Sequence, residues 1–290
     1  MKKMKFDAIA ITSNKKSKEI CDIASLCCEI LDNKGLKVLL GKGLEKVQTN
    51  SIKTVSNNQI IKKANLILAI GGDGTMLSCA KDFGYHGIPL LGINLGNLGF
   101  LTDVTPNEVL ERLSQVISGT YKTDKRIFLE ASIPGLKKKM IALNEFVVHT
   151  GSIAKMIEFD VYVDEVFVYR LKADGIIVNT VTGSTAYSLS GGGPIMHPGV
   201  DAISLVPIFP HSLSSSPFVV SSNSVIKLVL QNVSESIKVS FDSDEKIISS
   251  KETPTIKISK SSKELTLIHP KNHDFFETCR NKLGWGVGIV

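Results

Sequence analysis

Gly71-Gly72-Asp73-Gly74-Thr75 sets one carboxylate among glycines. Residues without side chains let backbone N–H groups approach phosphoryl oxygens, and a helix N-terminus behind the turn adds a favourable partial charge. The stretch therefore suits phosphate binding. The acid is its odd member, because a carboxylate repels phosphate unless it handles a proton, a hydroxyl or a metal ion. On its own the turn also fits a plainer role, a tight strand-to-helix connection with Asp73 as the helix cap. A second polar feature, Asn144-Glu145, interrupts the apolar run Ile141–Val148. By itself that pair reads as a bulge or an exposed face. The third is Thr182-Gly183-Ser184-Thr185-Ala186-Tyr187-Ser188-Leu189-Ser190-Gly191-Gly192-Gly193-Pro194. Its small hydroxyl residues, one aromatic ring and triple glycine make a surface that admits a ring and hydrogen-bonds sugar hydroxyls. A merely structural loop has no need of such a density of small polar groups, so binding is the favoured reading.

The elements that position these residues follow from hydrophobic spacing. Leu66–Ile70 is an apolar run of the length of one fully buried strand, and Met76–Phe83 behind the turn reads as a helix ended by Gly84. Upstream, Phe6–Ile11 reads as a first strand. Ile20, Ile23, Ala24, Cys27, Ile30 and Leu31 recur at helical spacing before Gly35, and Leu36–Leu40 is a second strand. Residues 41–63 read as a loop with one short helix. Ile88–Ile93 is another buried strand, running into the glycine loop Asn94–Phe100. Thr105-Pro106-Asn107-Glu108 has the capping-box form and opens a helix to about Ser118. Strands alternating with helices predict a layered α/β domain with a mainly parallel sheet.

After Gly119 the pattern becomes strand upon strand. Ile127–Ile133, Met140–Thr150, Ile157–Val163 and Val166–Leu171 carry no helix between them. Ile157, Phe159, Val161 and Val163 alternate with polar residues, as a half-buried antiparallel strand requires. Further strands are expected at Ile176–Thr180, Ala202–Pro207, Val225–Leu230, Ile237–Phe241, Thr255–Ser259 and Leu265–Ile268. The expected division is an α/β domain over 1–120 and an all-β domain over 121–271. A closing helix within 272–290, about Asn272–Leu283, is expected to pack back on the first domain.

Composition bounds the function classes. The chain has 290 residues, 43% hydrophobic and 21% charged, with a net charge of +6, an ordinary globular profile. No apolar run reaches the roughly 18 residues of a membrane helix, and the basic N-terminus reads as leading into a strand rather than as a signal peptide. The expected address is the cytoplasm. Five scattered cysteines, Cys21, Cys27, Cys28, Cys79 and Cys279, lack paired spacing and read as free thiols. The modest positive charge fits a site for anionic small molecules, and neither a nucleic-acid nor a membrane partner is expected. No His, Cys and carboxylate set shows metal-ligand spacing, so no protein metal cage is expected; His197, His211 and His269 read as structural.

The turn at 71–75, the pair at 144–145 and the loop at 182–194, in this order, resemble the NAD kinases, most closely the bacterial ATP-dependent type. The likeness extends to Ile157–Glu165, Val206–Ser214 and Lys282-Leu283-Gly284-Trp285. The turn alone also fits lipid kinases and phosphofructokinases, and a non-catalytic dinucleotide-binding regulator is the other rival class. The resemblance implies transfer of the γ-phosphate of ATP to the 2′-hydroxyl of the adenosine ribose of NAD, giving NADP. It implies a phosphofructokinase-like α/β domain followed by a β-sandwich domain, with Asp73 as proton acceptor. NAD contacts carried over from it are Asp73, Gly74, Phe100, Asn144, Glu145, Lys155, Lys172, Asp174, Thr185, Ala186, Tyr187, Ser188, Leu189, Ser190 and Asp244. The ATP phosphates are expected on Gly71, Gly72, Gly74 and Thr75, with Mg²⁺ or Mn²⁺ bridging them; the chain has no GxxxxGKS or GxxxxGKT loop.

The same resemblance implies a homo-oligomer, a tetramer, in which a neighbouring subunit brings Lys172 and Asp174 to the site. Four positions depart from its pattern. Val181 stands where proline is usual, which is expected to loosen the turn. Lys155 and Lys172 replace His or Arg, keeping charge at Lys172 but not planar bidentate geometry. Asp244 replaces a common Gln, and Asp242 is the other acid there.

Overall fold

The computed structural model describes residues 6–41, 43–47, 54–96, 99–133, 135–150, 155–212, 214–231, 237–242, 244–248 and 254–286. Asn97, Leu98, Leu213 and residues 287–290, which belong to stretches singled out above, lie outside them. The chain divides into two compact units, Met1–Lys125 with Lys263–Val290, and Arg126–Ser262. The first unit carries β1 (Ala8–Thr12), α1 (Lys18–Asp32), β2 (Lys37–Leu40), α2 (Asn57–Lys63), β3 (Leu66–Ile70), α3 (Asp73–Asp82), β4 (Leu90–Ile93) and α4 (Val109–Ile117). Next come β5 (Lys122–Ser132), β6 (Met140–Ala142), β7 (Glu145–His149), β8 (Ile157–Val163), β9 (Val166–Ala173), β10 (Gly175–Thr180) and α5 (Tyr187–Ser190). They are followed by β11 (Ala202–Ile208), β12 (Phe218–Ser221), β13 (Ile226–Gln231), β14 (Ile237–Phe241), β15 (Asp244–Ile248), β16 (Thr255–His269) and α6 (Phe275–Leu283).

In the first unit β2, β1, β3 and β4 pair in that order, all parallel, and the end of β16 joins β4 through Leu267 and Leu90. β1 and β3 are buried along their whole length, as strands covered on both faces must be. Ser17 caps α1 by accepting the N–H of Ile20 at 3.2 Å, and Ile20, Ile23, Ala24, Cys27, Ile30 and Leu31 form its buried face. That face joins Ile9, Ile11, Leu68, Ile70, Leu91, Leu113 and Ile268 in one core.

The second unit is two antiparallel layers around a shared core. One sheet runs β12-β11-β10-β7-β14-β15. In the other, the first half of β16 pairs with β13, β13 with β8, and β8 with β9. Phe146, Val148 and Val178 from the first layer pack with Phe159, Val161, Leu228 and Ile256 from the second, the interdigitation of a sandwich core.

Several local expectations change. The helix after Thr105 opens with a 3-10 turn, Pro106–Glu108, before α4 begins. Thr105 donates its hydroxyl to Glu108 Oε2 at 2.7 Å, and its side chain accepts no backbone N–H as the cap of that turn. The expected strand Met140–Thr150 is broken at Leu143-Asn144, whose N–H groups go to Asp242. The two expected strands at the C-terminal end are one, β16: its polar middle is exposed at Ser262–Glu264, Lys260 is half-buried, and buried Ser261 donates to Glu130 at 2.6 Å. β12 is short and turns only Phe218 and Val220 to the core, and β15 is short and largely exposed; neither sequence carries the polar–apolar alternation that marks a strand. Asp160 breaks the alternation of β8: it is buried and held by Arg170 at 2.6 and 2.9 Å. The closing helix α6 stops at Leu283, because Gly284 takes a left-handed conformation with φ 63°.

Burial sets the cysteine chemistry. The five thiols are free. Burial, with smaller help from neighbouring groups, pushes Cys28 up to about 11 and Cys79 up to about 12, and raises Cys27 further. In the native protein Cys27, Cys28 and Cys79 should therefore react with a disulfide reagent at neutral pH at least ~100-fold more slowly than in the urea-unfolded chain. Fast labelling of any of the three, located by peptide mass mapping, would contradict that placement.

Candidate active site

The 71–75 turn joins β3 to α3, and Gly72 is the N-cap residue of the helix. Gly71 donates its N–H to Ile93 and Thr75 to Gly72. Thr75 is buried, and its hydroxyl donates to Asn14 Oδ1 at 2.5 Å. The N–H groups of Gly72, Asp73 and Gly74 have no partner among the described residues, the normal state of a helix's first turn. Three adjacent open donors at a helix N-terminus form an anion cradle.

Asp73 does not cap its own helix. Its Oδ2 accepts the N–H of Phe100 at 3.0 Å and its Oδ1 the N–H of Leu101 at 3.0 Å. Lys282, from α6, places its ammonium 2.8 Å from Oδ2 and 5.0 Å from the centre of the Phe100 ring. Glycine is required at position 99, because a Cβ there would collide with the Asp73 carboxylate and the Thr102 hydroxyl. Asp73, Gly74, Phe100 and Lys282 are thus assembled in the first unit from stretches some 200 residues apart, the Asp73–Lys282 separation being 209.

In the second unit the Asn144-Glu145 pair is neither a bulge nor an exposed face. Both residues are buried at the start of β7. Asp242, at φ 50° in the turn between β14 and β15, takes the N–H groups of Leu143 at 2.9 Å and Asn144 at 2.8 Å. Thr180, at the end of β10, donates to the Leu143 carbonyl at 2.6 Å and accepts the Gly183 N–H at 3.2 Å. The break in the strand and the start of the 182–194 stretch are tied together in this way. Gly183 lies so close that a Cβ would strike the Asn144 carbonyl.

Asn144 Oδ1, Glu145 Oε2 and Ser188 Oγ are buried without a hydrogen-bond partner among the described residues. Burial first, and the Asp242 charge second, push the Glu145 carboxyl up to about 8. Glu145 opens on a cavity of about 510 Å³ lined also by Val147, His149, Thr150, Asp174, Tyr187, Ile208, Phe209, Ser240 and Asp242. The volume suits a nucleoside-sized group. A neutral carboxyl can donate as well as accept, so Glu145 can meet a sugar hydroxyl in either role.

Thr182–Thr185 form a 3-10 turn and α5 follows from Tyr187 to Ser190. Val181 holds φ −56°, the angle a proline would impose, so the turn keeps its shape without one. Thr185, Ala186 and Leu189 are half-buried, Ser188 is buried, and Tyr187 and Ser190 are exposed. Asp174 lines the cavity together with Glu145 and Tyr187 of the same chain, where the resemblance has a neighbouring subunit bring it. Lys155 and Lys172 are exposed and do not line the cavity; Lys155 accepts the Thr150 hydroxyl at 3.2 Å and Lys172 the His211 N–H through their carbonyls. Asp244 is exposed at the start of β15, and it is Asp242 that reaches the cavity. His149, Phe209 and Ser240 were invisible in sequence as site residues, since each is a single residue in a strand or turn whose facing only the sheet decides.

Residues 9–121 match the ATP-NAD kinase N-terminal domain and residues 143–270 the ATP-NAD kinase C-terminal domain. The chain is 43% identical over 260 residues to the NAD kinase of Teredinibacter turnerae, covering 88% of both chains. It is 41% identical over 285 residues to that of Photorhabdus laumondii, covering 97% of each. An NAD kinase from Archaeoglobus fulgidus, solved in complex with ATP, superposes with a TM-score of 0.73 at 26% identity, over 96% of this chain and 97% of that one. The yeast NADH kinase complexed with NADH shares the fold with a TM-score of 0.88 at 24% identity, over 99% and 90%.

The Glu145 carboxyl carries a pH signature. Its value is about 8 folded against 4.5 in the free side chain, so between these limits the folded state keeps a proton that the unfolded chain releases. Its contribution to stability is complete below pH 4.5 and is lost as pH rises to about 8. Thermal unfolding across pH 4–9 should show this decline in the wild type and lose that component in Glu145→Gln. Parallel curves for the two proteins would place the Glu145 ionisation at its ordinary value.

Proposed function

The chain belongs to the NAD kinase family, and from that premise we propose that Asp73 accepts the proton of the NAD adenosine-ribose 2′-hydroxyl as that oxygen takes the γ-phosphoryl group of ATP. The supporting observation is the place of the Asp73 carboxylate, in the first turn of α3 beside the open N–H groups of Gly72–Gly74. An alcohol is a poor nucleophile until its proton is drawn off, and a carboxylate within hydrogen-bond reach takes it during transfer. The 2′-O–H bond breaks, the new O–P bond forms, ADP leaves, and the proton ends on Asp73. Lys282, now on Asp73 Oδ2 at 2.8 Å, holds the carboxylate in place and adds positive charge where phosphate charge collects. The remaining contribution is positioning and charge neutralisation.

The donor phosphates rest on the backbone of the 71–75 turn through Gly72, Asp73 and Gly74, while Gly71 and Thr75 hold its shape. NAD is contacted by Asp73, Gly74 and Phe100, and by Asn144, Glu145, Asp174 and Thr185–Ser190. Buried Asn144 Oδ1, Glu145 Oε2 and Ser188 Oγ support this, because each lacks a partner that a hydroxyl-rich ligand would supply. Lys155 and Asp244, both exposed, are the remaining NAD contacts of this chain.

A divalent cation, Mg²⁺ or Mn²⁺, fits this donor set as one carried mainly by phosphate oxygens and water. Both oxygens of Asp73 already have donors, and the single three-residue grouping of ligand types among the described residues contains no residue of the turn. Such a cation supplies charge neutralisation on the transferring phosphoryl group.

The active form is a homo-oligomer, a tetramer, in which a neighbouring copy supplies Lys172. The apolar run Val166, Phe167 and Val168 on β9 supports association, being 68%, 53% and 40% exposed on the last strand of its sheet. The enzyme works in the cytoplasm, which its free thiols support. No helix among the described residues is long and apolar enough to cross a membrane.

In a coupled assay for NADP formation, Asp73→Asn should lower kcat by ~10²–10⁴ while leaving NAD binding nearly unchanged. Loss of folding in that variant would instead make Asp73 a structural tie between α3, the 100–101 segment and α6. In sedimentation, activity should travel with an oligomer, and a fully active monomer would overturn the shared site.

A further inference from the structure

Asp103, His269 and His273 are far apart in sequence, yet each offers one ligand atom, and these atoms all lie within 4.8 Å of one another. The two imidazoles stack, with ring centres 4.1 Å apart and planes 14° from parallel. Both aim Nδ1 at the same carboxylate: His269 Nδ1 meets Asp103 Oδ2, and His273 Nδ1 lies 3.0 Å from Asp103 Oδ1. The side chains of His269, Asp103 and His273 are 2%, 9% and 15% exposed. Burial by itself would raise the Asp103 carboxyl; the two imidazoles outweigh it and hold the group well below the usual carboxylate range.

The opposite side of His269 decides what this cluster is for. Its Nε2 faces Asp124 Oδ2 at 3.8 Å, so the buried ring has a carboxylate at each nitrogen. A neutral imidazole has one proton and must turn a lone pair toward one of the two acids. With the proton on Nε2, His269 turns its Nδ1 lone pair toward Asp103; with the proton on Nδ1, it donates to Asp103 and its Nε2 lone pair faces Asp124. A positive charge at the cluster satisfies both carboxylates at once. A second proton would make His269 an imidazolium stacked on its neighbour, whereas a divalent cation uses all three inward-facing atoms at once.

We propose that Asp103, His269 and His273 bind one divalent transition-metal ion of the zinc type through the Asp103 carboxylate and the Nδ1 atoms of both histidines. Two imidazoles and a carboxylate are a donor set suited to zinc, with water in the fourth position. Ligand atoms ~2.1 Å from a tetrahedral ion are ~3.4 Å apart; His273 Nδ1 and Asp103 Oδ1, at 3.0 Å, are near that spacing, whereas His269 Nδ1 and Asp103 Oδ2 are in direct contact and part to admit the ion. Asp124 behind His269 is the carboxylate that fixes the tautomer and orientation of a metal-bound imidazole. The ion is structural. Asp103 lies two residues beyond Leu101, whose N–H holds Asp73, so the ion ties the end of β16 to the segment that supports the 71–75 turn. This site is separate from the cation carried by the ATP phosphates.

The test uses the full chain, stripped with a chelator and free of nucleotide, titrated with Co²⁺ and then Zn²⁺. One equivalent of Co²⁺ should give visible d–d absorption, Zn²⁺ should bleach it, and Zn²⁺ at ~100 times its Kd should raise Tm by about 5–10 °C. His273→Phe keeps a ring stacked on His269 but removes a ligand; it should weaken binding at least ~100-fold, with its metal-free Tm close to that of the stripped wild type. Asp124→Asn leaves all three ligands in place and should weaken binding by ~10–100-fold, which covers the case in which His273→Phe folds poorly. No stoichiometric uptake by the wild type would overturn the site, and so would uptake undiminished in both variants. A stripped protein whose Tm depends on pH but not on Zn²⁺ would identify a proton as the occupant and likewise overturn it.

Discussion

The Asp73 carboxylate is the point on which the first unit's site depends. An acid in the first turn of a helix would ordinarily satisfy its own helix's N–H groups. Here it reaches away from them, to two backbone N–H groups of the 100–101 segment and to the Lys282 ammonium. The consequence is double. The helix keeps open N–H donors at its first turn, and three segments with no sequence proximity are held in one arrangement. Gly99 is the steric condition of this tie, since any side chain there would displace the carboxylate.

Glu145 is the complementary case. Asp73 is surrounded by donors, whereas Glu145 has a second carboxylate, Asp242, as its charged neighbour and is otherwise buried. The two acids therefore have opposite surroundings. Asp242 is itself occupied by the N–H groups that the broken strand leaves unpaired. The break at Leu143-Asn144 is thus part of how the site is built: it removes two N–H groups from the ladder and fixes them on an acid that also lines the cavity.

Burying Asn144 Oδ1, Glu145 Oε2 and Ser188 Oγ without a partner among the described residues costs about 1–3 kcal/mol each until a ligand or water meets them. The surrounding strands carry that cost. β7 and β10 are held by pairing on both edges, and Val148, Ile176 and Val178 are fully buried between the layers. A rigid sheet presents polar groups that a flexible loop would turn inward to satisfy. Pre-organised groups of this kind bind a hydroxyl-rich ligand without the entropy of first ordering a loop.

The glycine turn, the Asn-Glu pair and the hydroxyl-rich stretch were legible in sequence because each is a local pattern of residue types. The change from alternating helices and strands to strands alone was legible for the same reason, as periodicity reports the face an element buries. Sequence did not show that Asp73 turns from its own helix to Phe100, Leu101 and Lys282, or that Asp242 and not Asp244 reaches the cavity. It did not show that Asp103 meets His269 and His273, separated from it by more than 160 residues. Such contacts depend on where strands and helices of distant sequence come to rest, which sheet register and core packing set jointly. Local residue chemistry named the groups able to act, and the tertiary structure decided which of them meet.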